Sequence, residues 1–90
     1  MSVFVIEDEL HDEQQGEYGS MAEALAELER LAKLPWDKPP NIAPCTSWRT
    51  CGRFYQIIEY DNSVTPWKEL DRDIYLEVSA AGVKWIRDPG

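Results

Sequence analysis

Apolar and polar residues change their rhythm several times along the chain, and each rhythm points to a different element. Val3-Phe4-Val5-Ile6 is β-branched and aromatic without alternation, which predicts a strand over 2–8 covered on both faces or central in a sheet. Residues 12–18 are polar with Gly16 among them, and fit either a turn with a short exposed strand or a loop. Met21, Ala24, Leu25, Leu28, Leu31 and Ala32 then recur at three-to-four spacing, while Glu23, Glu27, Glu29 and Arg30 take the remaining positions. That spacing predicts a helix over 21–33 with one apolar face. Ser20 and Glu23 form a capping box at its start, the hydroxyl accepting from an early helical amide and the glutamate reaching back to the serine amide. Glu29 and Lys33 support the helix in the favourable order, and Pro35 ends it by biasing Leu34 away from helical angles.

In the second half, Phe54-Tyr55-Gln56-Ile57-Ile58-Glu59-Tyr60 reads as a strand closed by the turn residues Asp61-Asn62-Ser63. Thr65-Pro66 resembles a helix cap with proline at the first helical position, so a single turn over 66–70 is expected, with an edge strand as the alternative. Ile74, Leu76 and Val78 alternate with Tyr75, Glu77 and Ser79, the clearest strand pattern in the chain. A turn at 79–82, with Gly82 where a left-handed residue is needed, returns the chain as a hairpin partner over 83–86. The expected class is α+β: one helix packed on a small, mainly antiparallel sheet, in the order β-α-β-β-β, with a long Pro/Trp/Cys loop after the helix. Leu25, Leu28, Ile58, Leu76 and Val78 are the expected core. Ninety residues leave room for one hydrophobic core, so a single domain over 1–90 is expected.

Charge sharpens this picture. Hydrophobic residues make up 43% and charged residues 29%, which places the chain among folded globular proteins. The formal net charge of −8 argues against binding nucleic acid or an anionic membrane through bulk charge, and leaves basic partners open. Between Met1 and Glu29 there are nine acids and no Lys or Arg, whereas Arg30, Lys33, Lys38, Arg49 and Arg53 make the middle basic. No apolar run is long enough for a membrane span and the first residues lack the basic flank of a secretory signal, so a cytoplasmic protein is expected.

The chemistry-bearing candidates lie mainly in the loop over 35–53. Cys45 and Cys51 are the only cysteines, and with His11 the only histidine a zinc site lacks its four ligands. A disulfide is geometrically open to them but disfavoured in a reducing compartment, and a reactive thiol beside Arg49 and Arg53 lacks a nearby base. Two small apolar residues buried under the loop is the plainer reading. Trp36, Trp48 and Trp67 sit in irregular segments near prolines, where a tryptophan either plugs the loop onto the core or anchors a partner. Plugging is favoured in so small a chain. Any recognition surface in this region is expected to use Trp36, Trp48, Arg49, Arg53 and Trp67. His11 reads as an exposed surface residue, and Asp8, Asp12 and Glu13 lack the oxygen spacing of a calcium loop. No phosphate loop, nucleophile elbow or triad is present, so no catalytic residue, metal or cofactor is expected.

Pro39-Pro40-Asn41-Ile42-Ala43-Pro44-Cys45-Thr46-Ser47-Trp48-Arg49-Thr50-Cys51-Gly52-Arg53, followed by Ile57-Ile58-Glu59-Tyr60-Asp61, resembles a stretch in small acidic bacterial proteins of unknown function. The likeness extends to Val5-Ile6-Glu7-Asp8 and Leu76-Glu77-Val78-Ser79. It implies a bacterial cytoplasmic origin and assigns no activity to any residue. The function class expected is therefore a non-enzymatic protein-binding or regulatory module whose acidic surface meets another protein, one with a basic surface. The alternative is a small-molecule or redox site in the loop from Cys45 to Arg53.

Overall fold

A computed structural model describes residues 2–9, 13–39, 41, 52–79 and 81–87. In chain order these form β1 (Ser2–Asp8), β2 (Glu13–Tyr18), α1 (Met21–Ala32), β3 (Gly52–Asp61), β4 (Lys68–Ser79) and β5 (Gly82–Trp85). The strands make one five-stranded sheet in the order β2-β1-β3-β4-β5, with every neighbouring pair antiparallel. The architecture is α+β, as the alternation of strand and helix patterns implies.

Ser20 starts α1 as expected: its hydroxyl accepts from the Glu23 amide at 3.1 Å. The returning Glu23 carboxylate reaches one residue beyond the serine and accepts from the Gly19 amide at 3.0 Å. Ala24, Leu28 and Leu31 are the buried stripe of the helix. They pack on Ile6, Tyr55, Ile57, Tyr75, Leu76 and Val78, a cluster that Leu25 joins as a partly buried neighbour. Register explains who faces the helix. Ile6 lies opposite Ile57, and Tyr55 opposite Leu76, so alternate residues of three strands present one apolar surface.

Three expectations need correction. The element order has an additional strand, β2, because the polar segment after β1 turns back and pairs with it, Phe4 opposite Tyr18 and Asp8 opposite Glu13. Its backbone hydrogen bonds, rather than an apolar pattern, make it a strand. The helical turn expected at 66–70 gives way to the strand named as its alternative, since Lys68 opens β4 and pairs with Asp61 across the hairpin. Ile58, fully buried, lies outside the helix-facing cluster and opposite Val5 on the other face, and its neighbour Ile57 takes the core position.

Two glycines fit places no other residue would. Gly82 has φ of 125° in the β4–β5 turn, and a Cβ on Gly52 would come within 2.6 Å of the Val78 carbonyl oxygen on β4. Residues 40 and 42–51, which hold Cys45, Cys51, Trp48 and Arg49, lie outside the described residues, as does His11. Among the described residues no helix is long and apolar enough to cross a membrane.

Candidate functional site

Three features emerge where chemistry-bearing side chains gather: a buried polar node at the start of β3, exposed carboxylates on β2 and on α1, and an open cleft on the helix-free face.

The node is built by register. Asp8 and Glu13 lie opposite one another at the ends of β1 and β2, and Arg53 stands two residues before Tyr55, the β3 partner of Asp8. The Arg53 guanidinium donates to Asp8 Oδ2 at 3.0 Å and also pairs with Glu13. Asp8 is fully buried and Arg53 5% exposed, so their pair is interior, while the Glu13 side chain, 41% exposed, carries the cluster to the surface. The second oxygen of Asp8 accepts from the Phe54 amide at 3.0 Å. Burial works against the charged guanidinium, but hydrogen bonds from it to Glu13 and Asp8 outweigh that penalty and hold Arg53 above its ordinary pKa.

Asn41 joins this node to the helix. Its side-chain amide donates to the carbonyls of Leu31 at 2.9 Å and Leu34 at 3.2 Å, adding a donor to acceptors at and just past the end of α1. Its own side-chain oxygen accepts from the Tyr55 hydroxyl at 2.9 Å, and its backbone carbonyl accepts from Arg53 Nε at 3.4 Å. Burial is the main cause that raises the Tyr55 phenol well above its ordinary pKa. Among the described residues no buried side-chain nitrogen or oxygen lacks a partner. A node so completely satisfied holds the fold together and offers no open position to a substrate.

The sequence reading has Arg53 lend a positive charge to a binding loop, and in the structure it instead turns inward onto two carboxylates. The other arginines among the described residues are likewise held by acids of the same chain. Arg30 pairs with Glu27 at 2.6 Å, Arg72 with Glu69 at 2.7 Å and Arg87 with Asp73 at 3.3 Å. The Glu27 hydrogen bond raises the Arg30 pKa, and the Arg72 hydrogen bond lowers that of Glu69. Glu17 on β2 and Glu29 on α1 point to solvent with no arginine against them among the described residues.

Of the tryptophans singled out from the sequence, Trp36 is partly buried and packs on the core cluster, whereas Trp67 is 42% exposed in the β3–β4 hairpin. The Trp67 ring lies 5.9 Å from that of Tyr60. The structure does not bring Trp36, Arg53 and Trp67 together at one surface: Arg53 and Trp36 belong to the helix side, Trp67 to the far end of the sheet.

The cleft was not legible in the sequence. It is an open depression of about 560 Å³ with Gln56, Ile74 and Ile86 along its floor and wall, flanked by Arg72, Asp73 and Arg87. Gln56 is buried and donates to Glu7 at 3.2 Å, while Ile86 is half exposed. Among the described residues no group of three or more His, Cys, Asp or Glu side chains is placed to hold a metal ion. No family model, curated protein or solved structure matches this chain.

Proposed function

We propose that this chain is a cytoplasmic, non-enzymatic protein-binding or regulatory module whose carboxylate-rich surface meets a partner with a basic surface. One observation carries the reading: every arginine among the described residues sits against a carboxylate of its own chain. A guanidinium already neutralised at close range offers little to a phosphate, so the outward field is set by the excess of acids in a chain of net charge −8. Such a field steers a small protein onto a basic partner and raises the encounter rate. Glu17 on β2 and Glu29 on α1, both exposed and on opposite sides of the sheet, are the contacts the reading assigns. The rival site in the loop from Cys45 to Arg53 loses support because Arg53 is committed to Asp8 and Glu13.

The test is capture from a bacterial lysate by immobilised wild-type protein and by the double variant Glu17→Gln, Glu29→Gln, with retained proteins identified by mass spectrometry. Circular dichroism checks that the variant is folded. A discrete basic-surfaced protein retained by the wild type and lost with the variant supports the reading. Retention of the same proteins by both overturns it.

A further inference from the structure

The cleft lies beside a length of strand that, among the described residues, has a neighbour on one side alone. β4 runs from Lys68 to Ser79, yet β5 pairs only with the stretch from Leu76 to Ser79. Among the described residues, 68–74 therefore pairs with β3 and with nothing on its other edge. Past β5 the chain stays close, since the Ile86 amide donates to the Tyr75 carbonyl at 2.8 Å. The cleft borders this edge at Arg72, Asp73, Ile74, Ile86 and Arg87 and reaches inward over the helix-free face to Gln56 and Glu9. Exposed apolar side chains mark the same edge: Trp67 at 42%, Leu70 at 49% and Ile86 at 50%.

A strand edge that carries charges and a bulge ordinarily resists pairing. On this edge one antiparallel register sets opposite charges against each other at two positions, with Leu70 facing Asp71 at its centre. Laid antiparallel to its own copy about a two-fold between Leu70 and Asp71, the segment sets Lys68 opposite Asp73, Glu69 opposite Arg72, and Trp67 opposite Ile74. Directly opposite residues in antiparallel strands must share a face of the sheet. In a regular strand, residues separated by an odd number of positions point to opposite faces, so this register would be closed to a symmetric pair. The bulge opens it. Glu59 lies opposite Asp71 and Tyr60 opposite Glu69, so Leu70 is an extra residue and the alternation shifts by one. Glu69 and Arg72 consequently share a face, as their own 2.7 Å ion pair requires.

We infer that the 68–74 edge of β4 is a docking surface for a second copy of this chain, which extends the sheet across a two-fold axis. The ring of Trp67 from each copy enters the cleft of the other and covers Ile74 and Ile86, and the Glu69 and Arg72 pairs of the two copies merge into a four-charge cluster. A short edge with one aromatic anchor lies at the small end of specific interfaces, so the dimer dissociates on the order of micromolar concentration. This surface lies across the sheet from β2, so the dimer leaves the β2 carboxylates of each copy exposed.

Sedimentation of the full chain over a concentration series, with two charge variants, tests the inference. The wild type passes from monomer to dimer as concentration rises. Glu69→Arg and Arg72→Glu each place like charges opposite one another, and each raises the dissociation constant by more than about tenfold. Mixed in equal amounts, the two variants form a heterodimer, because at these two positions one edge then carries only cations and the other only carboxylates. Trp67→Ala, which leaves the charges alone, also weakens the dimer. A wild type that stays monomeric to about 1 mM overturns the inference. So does a dimer that persists unchanged in these variants, which would place the contact on another surface.

Discussion

Arg53 and Asp8, forty-five positions apart in the chain, meet 3.0 Å apart in the interior, and Asp8 is wholly buried. Neither residue could be left inside alone. Desolvating one unpaired charge costs several kcal/mol, and the node removes that cost by giving Asp8 both the guanidinium and the Phe54 amide. The result is a tie between β1, β2 and β3 on one side and, through Asn41, the end of α1 on the other.

Arg53→Met keeps the apolar stem of the side chain and removes the charge. It strands Asp8, so a loss of about 3 to 5 kcal/mol is expected in chemical denaturation. Partner capture by the folded fraction is unchanged if Arg53 serves the interior alone. A variant as stable as the wild type would remove the node from its central place in the fold.

Tyr55 supplies a pH dependence. Burial raises its phenol above the ordinary value of 10.0, so the folded state holds the proton more tightly than the unfolded chain does. Its contribution to stability is fully present below about pH 10 and is lost as pH rises past the unfolded pKa, by up to about 1.4 kcal/mol per unit. Tyr55→Phe is expected to cost on the order of 1 kcal/mol at neutral pH through the lost bond to Asn41. It should also flatten the alkaline limb of the stability curve. Equal slopes for the two proteins above about pH 10 would contradict the assignment.

Leu28 is fully buried at the centre of the α1 stripe, against strand residues that depend on the helix for cover. Leu28→Ala is expected to cost about 2 to 5 kcal/mol, a large part of the stability of a chain this small. A thermal midpoint within experimental error of the wild type would sink the packing account.

The legible parts of the fold were those whose residues carry their own local signal. Ser20 with Glu23 marks a helix start, and Ile74, Leu76 and Val78 mark a strand, because capping and alternation act over a few residues. β2 carries no such signal. Glu13, Gln14, Gln15 and Glu17 become a strand only because β1 lies beside them, and Gly16 even argues for a turn. The first half of β4 misled for a related reason: Pro66 favours a helix start locally, while pairing of Lys68 with Asp61 and Glu69 with Tyr60 decides the outcome. The node was illegible because its members are scattered, and a sequence reading that sees Arg53 near Arg49 has no means of knowing that Asp8 and Glu13 arrive across two strands. The unpaired edge of β4 depends on where β5 stops, which no composition or periodicity encodes.

If the excess of acids sets the outward field, the protein selects cations over phosphates. Fluorescence anisotropy of two labelled probes of similar length, a lysine- and arginine-rich peptide and a duplex DNA, measures this directly at low and at physiological salt. The peptide is expected to bind with an affinity that falls as salt rises, and the DNA to stay unbound under either condition. Binding of the DNA probe, with the cationic peptide ignored, would contradict that selection.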